Sequence, residues 1–270
     1  MRLSIDHLTT YRYAEMASRS TQYIRLTPQS DGRQRILDWH LEMPGQARQC
    51  RDGLGNLLHV LTLDNPHREI SIRAWGEVEI DTAGEPTRQS GLTPLIFLRH
   101  TRLTRPNREI EDFARQHGGC SAAALEKLMQ ALREAMPYRP GATKVSSTAA
   151  EAFAQGEGVC QDHTHVFLAC ARLLGMPARY VSGYLHTDDA GHVASHAWAE
   201  VWVDDSWLPF DVTNADANAD SHLRLAVGVD YLDACPIRGV RFGGGAESMD
   251  ARALVARGEE DHSSFLGSNE

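Results

Sequence analysis

The sequence predicts an α+β fold in which a β-rich first region precedes a region of mixed helices and strands. Three observations lead to this prediction. Apolar and polar residues alternate along 72–80, which is the period of a half-buried strand. After Pro106 the apolar residues recur at helical spacing instead, and alternation returns around 195–214. The expected organisation is an N-terminal β domain at 1–85, a connector at 86–107, a second domain at 108–257 and an acidic tail at 258–270.

The first region is expected to consist of short strands joined by turns. Besides 72–80, the alternation favours strands at 2–13, 21–27, 35–43 and 57–63. Clusters of glycine, proline, serine and aspartate lie between these segments, and such clusters are typical of turns. The connector that follows is rich in proline and glycine, which argues against a regular element there.

Helices are predicted in the first half of the second region. A proline suits the first position of a helix, and we expect one over 106–116. Ser121 is the expected N-cap of a stronger helix over Ala122–Ala135, whose leucines and methionine share one face. Thr148 and Glu151 have the spacing of a capping box, which predicts another short helix. This helix leads the chain into its most informative segment.

The bulk composition indicates a soluble globular protein. The 270 residues carry a net charge of -9, which argues against a nucleic-acid-binding protein because phosphate contacts need a basic surface. The first residues alternate at once, so we expect no secretory signal, and no apolar run is long enough to cross a membrane. The five cysteines are irregularly spaced, which favours reduced thiols over disulfides. We therefore expect a cytoplasmic protein.

Cys160 is the first candidate for chemistry. From this residue on, apolar side chains recur at helical spacing, so Cys160 falls in the first turn of a buried helix, just after Gly156 and Gly158. Free N–H groups and the positive end of the helix dipole there favour a thiolate and could hold an oxyanion. The alternative is an inert buried thiol, which is how we interpret Cys170 on the core face of the same helix.

His196 and Asp211 are the candidate partners of that thiol. They lie on two alternating segments around Asp204 and Asp205, a pattern that indicates a β-hairpin. If those two aspartates form a two-residue loop, His196 and Asp211 are diagonal neighbours on one face; a slip of one residue would separate them. A carboxylate beside an imidazole fixes its tautomer and supports its charged form. Taken alone, His196 would be interpreted as a histidine without a role, and Asp211 as a carboxylate at a turn or strand end.

Four motifs carry a resemblance to a known family. They are Gly158-Val159-Cys160-Gln161-Asp162, Gly175-Met176-Pro177-Ala178-Arg179-Tyr180-Val181-Ser182-Gly183-Tyr184, Ser195-His196-Ala197-Trp198-Ala199-Glu200 and Phe210-Asp211-Val212-Thr213-Asn214. With them the chain resembles the transglutaminase-like superfamily, in particular its bacterial branch. The opening strands are similar to the β-rich N-terminal domain that these bacterial proteins carry.

The resemblance implies a papain-like core, with Cys160 as nucleophile, His196 as base and Asp211 as the residue that orients the base. Family members include protein crosslinkers, cysteine proteases, peptide amidases and inactive scaffolds. In animal crosslinking enzymes an upstream tryptophan helps to hold the oxyanion, whereas this sequence has none between Trp75 and Trp198. We therefore expect a hydrolytic cysteine peptidase or amidase that acts on a peptide or protein amide through a thioester. A protein-glutamine amine transferase and a non-catalytic peptide- or protein-binding scaffold are the alternatives.

Three further residues are candidates for the oxyanion site or for binding substrate. Gln161 adjoins the nucleophile, Trp198 follows the candidate base on the same strand face, and Tyr184 is a candidate for the border of the cleft. The resemblance implies no cofactor. It suggests ATP-grasp and alpha-E domain proteins as partners, because bacterial relatives are often encoded beside them.

A zinc hydrolase is the rival interpretation of the histidines. Five of them fall between residues 163 and 196, namely His163, His165, His186, His192 and His196. His163 and His165 are two apart, so on a helix they point in different directions and cannot chelate together. The sequence contains no H-E-x-x-H arrangement. We therefore predict no metal site.

Overall fold

The computed structural model describes residues 1–84, 92–186 and 195–258 and shows the expected α+β fold. Two antiparallel sheets are present, one of seven strands and one of four, and the helices pack on the smaller sheet. The part of the expected connector at 86–91, the acidic tail from 259 onwards and His192 lie outside the described residues. Within the described ranges, no helix is long and apolar enough to cross a membrane.

The seven-stranded sheet is organised around one long strand. Its members are β1 (Arg2–Ile24), β2 (Gln34–Glu42), β3 (Ala47–Arg51), β4 (Leu57–Leu63), β5 (His67–Ile80), β10 (Ile237–Gly243) and β11 (Glu247–Arg257). The strand order is β2-β5-β1-β4-β3, and β10 and β11 also pair with β1. The first half of β1 pairs with β5 and β11, and its second half pairs with β4 and β10.

The sequence divided the first strand wrongly and missed one strand. Segments 2–13 and 21–24 lie in the single strand β1, because its polar middle stays extended through an irregularity in pairing between Arg12 and Ala17, and the strand ends before the predicted 25–27. Strand β3 was missed because it is a short edge strand with mostly polar side chains and no apolar alternation. The strands predicted at 35–43, 57–63 and 72–80 are confirmed as β2, β4 and the second half of β5.

The end of the expected second domain returns to the first sheet. We expected 108–257 to belong together, but β10 and β11 both pair with β1, so 237–257 complete the N-terminal sheet. Pairing partners in a sheet are chosen across the whole chain, and the local pattern of a strand does not reveal them.

The second region contains the remaining elements. They are a 3-10 helix at Pro94–Leu98, helices α1 (Arg108–His117), α2 (Ala122–Ala135), α3 (Ala149–Gln155), α4 (Cys160–Leu173) and α5 (Tyr231–Ala234), and strands β6 (Ala178–Leu185), β7 (Ser195–Val203), β8 (Ser206–Phe210) and β9 (His222–Gly228). The strand order of this sheet is β8-β7-β6-β9.

Local capping explains where the first three helices begin. Ser121 accepts a hydrogen bond from the backbone of the first turn of α2, and Thr148 with Glu151 forms the predicted capping box of α3. In α1 the cap is Asn107, whose side chain accepts from the Ile110 N–H. Pro106 therefore precedes the cap, and our expectation that it opens the helix was wrong.

Helix α4 is the centre of the second core. Its side chains from Asp162 to Arg172 are all buried against the surrounding helices and the four-stranded sheet. The guanidinium of Arg172 donates to the backbone carbonyls of Phe97 at 2.9 Å, Ala178 at 2.7 Å and Val229 at 2.6 Å. A buried charge is stable only when its donors are satisfied, so these bonds fix the C-terminal end of α4 against the sheet. At the opposite end, near Cys160, the Asp162 side chain accepts hydrogen bonds from the Val159 N–H and the Thr143 hydroxyl.

Candidate active site

The turn before α4 places Cys160 at the first position of the helix, as predicted. Gly156 ends α3 in the left-handed region with a φ of 74°, and Val159 is the extended N-cap of α4. A Cβ atom at Gly158 would lie 2.8 Å from the side chain of Asp162, so only glycine fits there without displacing that carboxylate. The sequence thus brings a half-buried thiol to a helix N-terminus through a turn that depends on two glycines.

Asp162 caps the start of α4. Its Oδ2 accepts hydrogen bonds from the Val159 N–H at 2.9 Å and from the Thr143 hydroxyl at 2.5 Å. The first backbone donors that bond within the helix are those of Asp162 and His163, both to the Val159 carbonyl. The N–H groups of Cys160 and Gln161 precede them and have no acceptor inside the helix. Two backbone donors therefore adjoin the thiol.

The β7–β8 hairpin has the register that the sequence suggested. Asp204 and Asp205 form a two-residue turn with φ values of 46° and 60°, and Val203 pairs with Ser206. Strand β8 ends at Phe210, earlier than the alternation suggested, and Asp211 follows it directly. The hairpin therefore carries Asp211 to the imidazole of a histidine on the neighbouring strand.

His196 links the thiol to this carboxylate. Its Nε2 donates to Asp211 Oδ2 at 2.7 Å, and the Cys160 side chain lies close enough to its ring to interact with it electrostatically. The three residues that we predicted to act together therefore lie together in the structure. Both partners of the thiol are well buried, since the Asp211 side chain is only 1 % exposed and that of His196 8 %.

The electrostatics of the site favour charged partners. Burial alone lowers the pKa of His196, but its interactions with Asp211 and Cys160 outweigh burial and raise the pKa to about 10. Burial likewise opposes ionisation of Asp211, but its bonds to His196 and His222 bring its pKa well below the ordinary value. At neutral pH the pair is therefore an imidazolium beside a carboxylate.

Two residues of the site were not predicted from the sequence. His222 Nε2 lies 2.9 Å from Asp211 Oδ2, and the side-chain amide of Asn214 donates to the same oxygen at 2.7 Å. Asn214 belongs to a motif that we quoted, but nothing assigned it a contact. His222 opens β9, which pairs with β6 on the side away from β7. Only the tertiary structure reveals the contact of His222 with Asp211, because no local sequence pattern places the two residues together.

The three additional candidates lie in different places. Gln161 is near the nucleophile, and its side-chain amide donates to the Val145 carbonyl at 3.0 Å. Trp198 is buried, with its ring next to those of His196 and His222, so it packs behind the imidazole. Tyr184 was expected at the border of the cleft and is not there.

Tyr184 instead joins the two sheets. It is 1 % exposed, packs in the core of the seven-stranded sheet, and its hydroxyl lies 2.5 Å from His7 Nδ1. Strand β6 is covered on both faces, and its near-continuous apolar run did not show which side each residue would face. Tyr184 therefore has a structural contact and cannot touch a substrate in this arrangement.

The buried histidines of α4 have structural partners. His163 bonds to the Met136 carbonyl at 2.8 Å and to the Thr213 hydroxyl at 2.9 Å. His165 accepts from the Tyr231 N–H at 3.2 Å, and burial lowers its pKa to about 4, so it is neutral. These contacts leave neither ring directed at His196.

Across the described ranges, one group of three side chains is close enough to hold a metal ion. It consists of His196, Asp211 and His222, whose ligand atoms lie within 4.8 Å of one another. In the structure both imidazole Nε2 atoms lie at hydrogen-bonding distance from the Asp211 oxygen, at 2.7 and 2.9 Å. A metal ion would have to replace both of these N–H protons. The observed geometry is therefore that of a hydrogen-bonded carboxylate.

Comparisons with known proteins agree with this architecture. The family model of the transglutaminase-like superfamily matches residues 111–212, and that of the bacterial transglutaminase-like N-terminal region matches residues 3–79. An uncharacterised protein of Mycobacterium leprae is 30% identical over 95% of this chain and 99% of its own length. One from Mycobacterium tuberculosis is 31% identical over 89% of this chain and 88% of its own.

A solved structure shares the whole fold. It is a candidate cysteine protease from Cytophaga hutchinsonii that superposes with a TM-score of 0.79 at 21% sequence identity. The match covers 99% of this chain and 94% of that one. At this level of identity the comparison establishes the fold.

Proposed function

Because this chain belongs to the transglutaminase-like superfamily, we propose that it is a cysteine enzyme that hydrolyses an amide or peptide bond through a thioester on Cys160. One observation carries the proposal. A thiol at a helix N-terminus lies beside a histidine and interacts with it electrostatically, and that histidine is hydrogen-bonded to a buried carboxylate. This combination is what nucleophilic catalysis by cysteine requires.

Activation of the nucleophile follows from the charges around it. An imidazolium and a helix N-terminus both favour the thiolate, which is the attacking form of cysteine. The bond between His196 and Asp211 keeps the ring in place with its other nitrogen available to the thiol. His196 is therefore placed to accept the thiol proton.

The reaction proceeds by acylation and deacylation. The Cys160 thiolate attacks the carbonyl carbon, a C–S bond forms, and the backbone N–H groups of Cys160 and Gln161 stabilise the oxyanion. When the C–N bond breaks, His196 donates its proton to the departing amine, which leaves a thioester. His196 then takes a proton from water as the water attacks, and the C–S bond breaks to release a carboxylic acid and the thiolate.

The loop before α4 lies beside the candidate nucleophile. The backbone of Tyr138 is bridged to Gly158, and Gln161 and Thr143 hold the remainder of the loop at the helix start. The Tyr138 side chain is 48 % exposed, and burial together with the nearby Cys160 raises its pKa. Its hydroxyl therefore stays protonated at neutral pH and is suited to donate a hydrogen bond to a bound acyl group.

The preference for water over an amine as second substrate rests on the sequence. No tryptophan lies between Trp75 and Trp198 in the sequence, so this chain lacks the upstream tryptophan that donates to the oxyanion in animal crosslinking enzymes. The buried side chain of Trp198 lies behind the imidazole and does not replace it.

The test is a screen of γ-glutamyl and peptide amides with and without an added primary amine, read by mass. Hydrolysis adds the mass of water to the acyl product, whereas transfer adds the amine in place of ammonia or of the leaving amine. The Cys160→Ala variant is the control, with Cys120→Ala as the matched change at an exposed thiol. Products that carry the amine would make the protein a transferase. Peptide binding without any Cys160-dependent product would make it a scaffold.

A further inference from the structure

Asp211 Oδ2 accepts hydrogen bonds from three side chains. His196 donates at 2.7 Å, Asn214 at 2.7 Å and His222 at 2.9 Å. The other carboxylate oxygen accepts only the Asn214 backbone N–H, at 3.2 Å, among the described residues. A buried carboxylate stays ionised when its charge is shared among donors. Asn214 belongs to the same loop as Asp211, whereas His222 comes from the separate strand β9.

The position of His222 is fixed by its surroundings. Its side chain is 2 % exposed, and its backbone pairs with Leu185 at the start of β9. The indole ring of Trp198 packs edge-on against the imidazole, with ring centroids 4.8 Å apart. A ring enclosed in this way has little rotational freedom, so the direction of its Nε2 is set by the fold.

The hydrogen-bonding capacity of His222 is committed to Asp211. A carboxylate accepts only, so the Nε2 atom at 2.9 Å must carry the proton. The Nδ1 atom has no hydrogen-bond partner among the described residues, and the nearest carboxylate oxygen, on Asp216, is 3.9 Å away. That distance is too long for a hydrogen bond. The hydrogen bond from His222 Nε2 to Asp211 is therefore the polar contact that accounts for a buried histidine at this position.

We propose that His222 is a positioning residue that holds the Asp211 carboxylate ionised and aimed at His196. The inference rests on the proposed function, since it assigns a role within the same catalytic group. The row of interacting side chains then has four members in order, namely Cys160, His196, Asp211 and His222. His222 touches neither the thiol nor a substrate and acts through the carboxylate.

The groups that face this carboxylate define what removal of His222 would do. His196 approaches from β7, His222 from β9 and His163 from α4, and Asp216 belongs to the loop that begins at Asp211 itself. Without the His222 donor, the carboxylate takes up a proton at a higher pH than before. A protonated carboxyl group no longer supports the imidazolium, so the thiolate is lost at that pH as well.

The test compares two substitutions with the wild-type protein. His222→Phe keeps a planar ring against Trp198 but removes the donor. His222→Gln places an amide N–H near the position of Nε2 and keeps the donor. The rate of alkylation of Cys160 by iodoacetamide is measured from pH 4 to pH 9, since this reaction needs no knowledge of the substrate. Thermal unfolding is followed in parallel, and His222→Asn, whose shorter amide places its N–H elsewhere, replaces the phenylalanine variant if that protein does not fold.

The proposal predicts a specific pattern. In His222→Phe the loss of alkylation on acidification begins at a higher pH, while His222→Gln follows the wild type. Turnover of any substrate found should fall by about tenfold to a hundredfold in kcat with KM unchanged in the phenylalanine variant, as for outer partners that orient reactive groups. The glutamine variant should recover most of this loss.

Two results would overturn the inference. An unchanged pH profile in His222→Phe, or an equal effect of Phe and Gln that follows the loss of thermal stability, would make His222 a packing residue only. Loss of wild-type turnover on treatment with a chelator would make the three side chains a metal site instead. If Cys160 of the wild-type protein is alkylated no faster than an ordinary thiol, the proposed function itself is refuted. This outcome is distinguishable from failure of the His222 inference, because it is measured on the wild-type protein and not on a His222 variant.

Discussion

His196 Nε2, on β7, lies 2.7 Å from Asp211 Oδ2, which directly follows β8. The two-residue turn at Asp204 and Asp205 sets this relationship, since a register one residue longer or shorter would turn the two side chains to opposite faces. The catalytic geometry that we propose is therefore a consequence of hairpin length.

The first prediction concerns the reactivity of the five cysteines. At pH 6, Cys160 should be alkylated by iodoacetamide at least about tenfold faster than the exposed Cys120, because the imidazolium and the helix N-terminus keep it a thiolate. Cys170 should stay unlabelled, since burial raises its pKa to about 12. Peptide mass spectrometry resolves the sites. Equal labelling of Cys160 and Cys120 would argue against an activated thiol.

The second prediction concerns stability against pH. The pKa of His196 is raised to about 10 in the folded protein, against an ordinary value of 6.5, so folding above pH 6.5 takes up a proton. The stabilisation by the ion pair is complete below pH 6.5 and is lost as pH rises to about 10. The advantage in thermal stability of the wild type over Asp211→Asn should therefore shrink across this range.

A matched control is available for this measurement. Asp204→Asn makes the same chemical change in the exposed hairpin turn, at a φ of 46° that asparagine tolerates well. Its difference from the wild type should stay constant between pH 6.5 and pH 10. A constant difference for Asp211→Asn as well would show that His196 is not charged in the folded state.

The third prediction concerns the turn before the nucleophile. In Gly158→Ala the new methyl group would lie 2.8 Å from the Asp162 side chain, so the cap of α4 must shift. We expect a loss of roughly 1–3 kcal/mol in the free energy of unfolding and slower alkylation of Cys160. Urea denaturation and labelling measure both. Gly53→Ala is the control, because a Cβ there meets nothing within 4 Å; equal effects at both positions would contradict the account.

The fourth prediction concerns the Tyr138 hydroxyl. Tyr138→Phe removes one hydroxyl from a side chain that is 48 % exposed, so folding should be unaffected. Because alkylation creates no oxyanion, the rate of iodoacetamide labelling should stay that of the wild type. Turnover of an amide should fall, by about tenfold or more if the hydroxyl assists the acyl oxygen. An unchanged kcat would remove Tyr138 from the mechanism.

Local chemistry explains the parts of the site that the sequence predicted. The position of Cys160 follows from the glycines before it and the apolar spacing after it, and the hairpin register follows from a two-residue turn. Both depend on neighbours within a few residues. The capping roles of Ser121 and Thr148 were predictable for the same reason.

The parts that failed depend on contacts between distant segments. His222 reaches Asp211 only because β9 pairs with β6, and Tyr184 is buried only because its part of the four-stranded sheet shares a core with the seven-stranded sheet. The return of 237–257 to β1 is likewise a choice of partner across the whole chain. Periodicity gives the face of a strand, whereas its partner depends on tertiary packing.

The most direct test of the account is detection of the acyl-enzyme. The protein is mixed with a p-nitrophenyl ester of an acylated amino acid, quenched in acid and analysed by peptide mass spectrometry, with Cys160→Ser as control. If Cys160 forms a thioester, one p-nitrophenol per chain is released in a burst, and the acyl group is found on the peptide that contains Cys160. The acyl group is then lost from that peptide over time and appears as the free acid. A wild-type protein that releases p-nitrophenol no faster than Cys160→Ser, with no adduct on Cys160, would contradict the account.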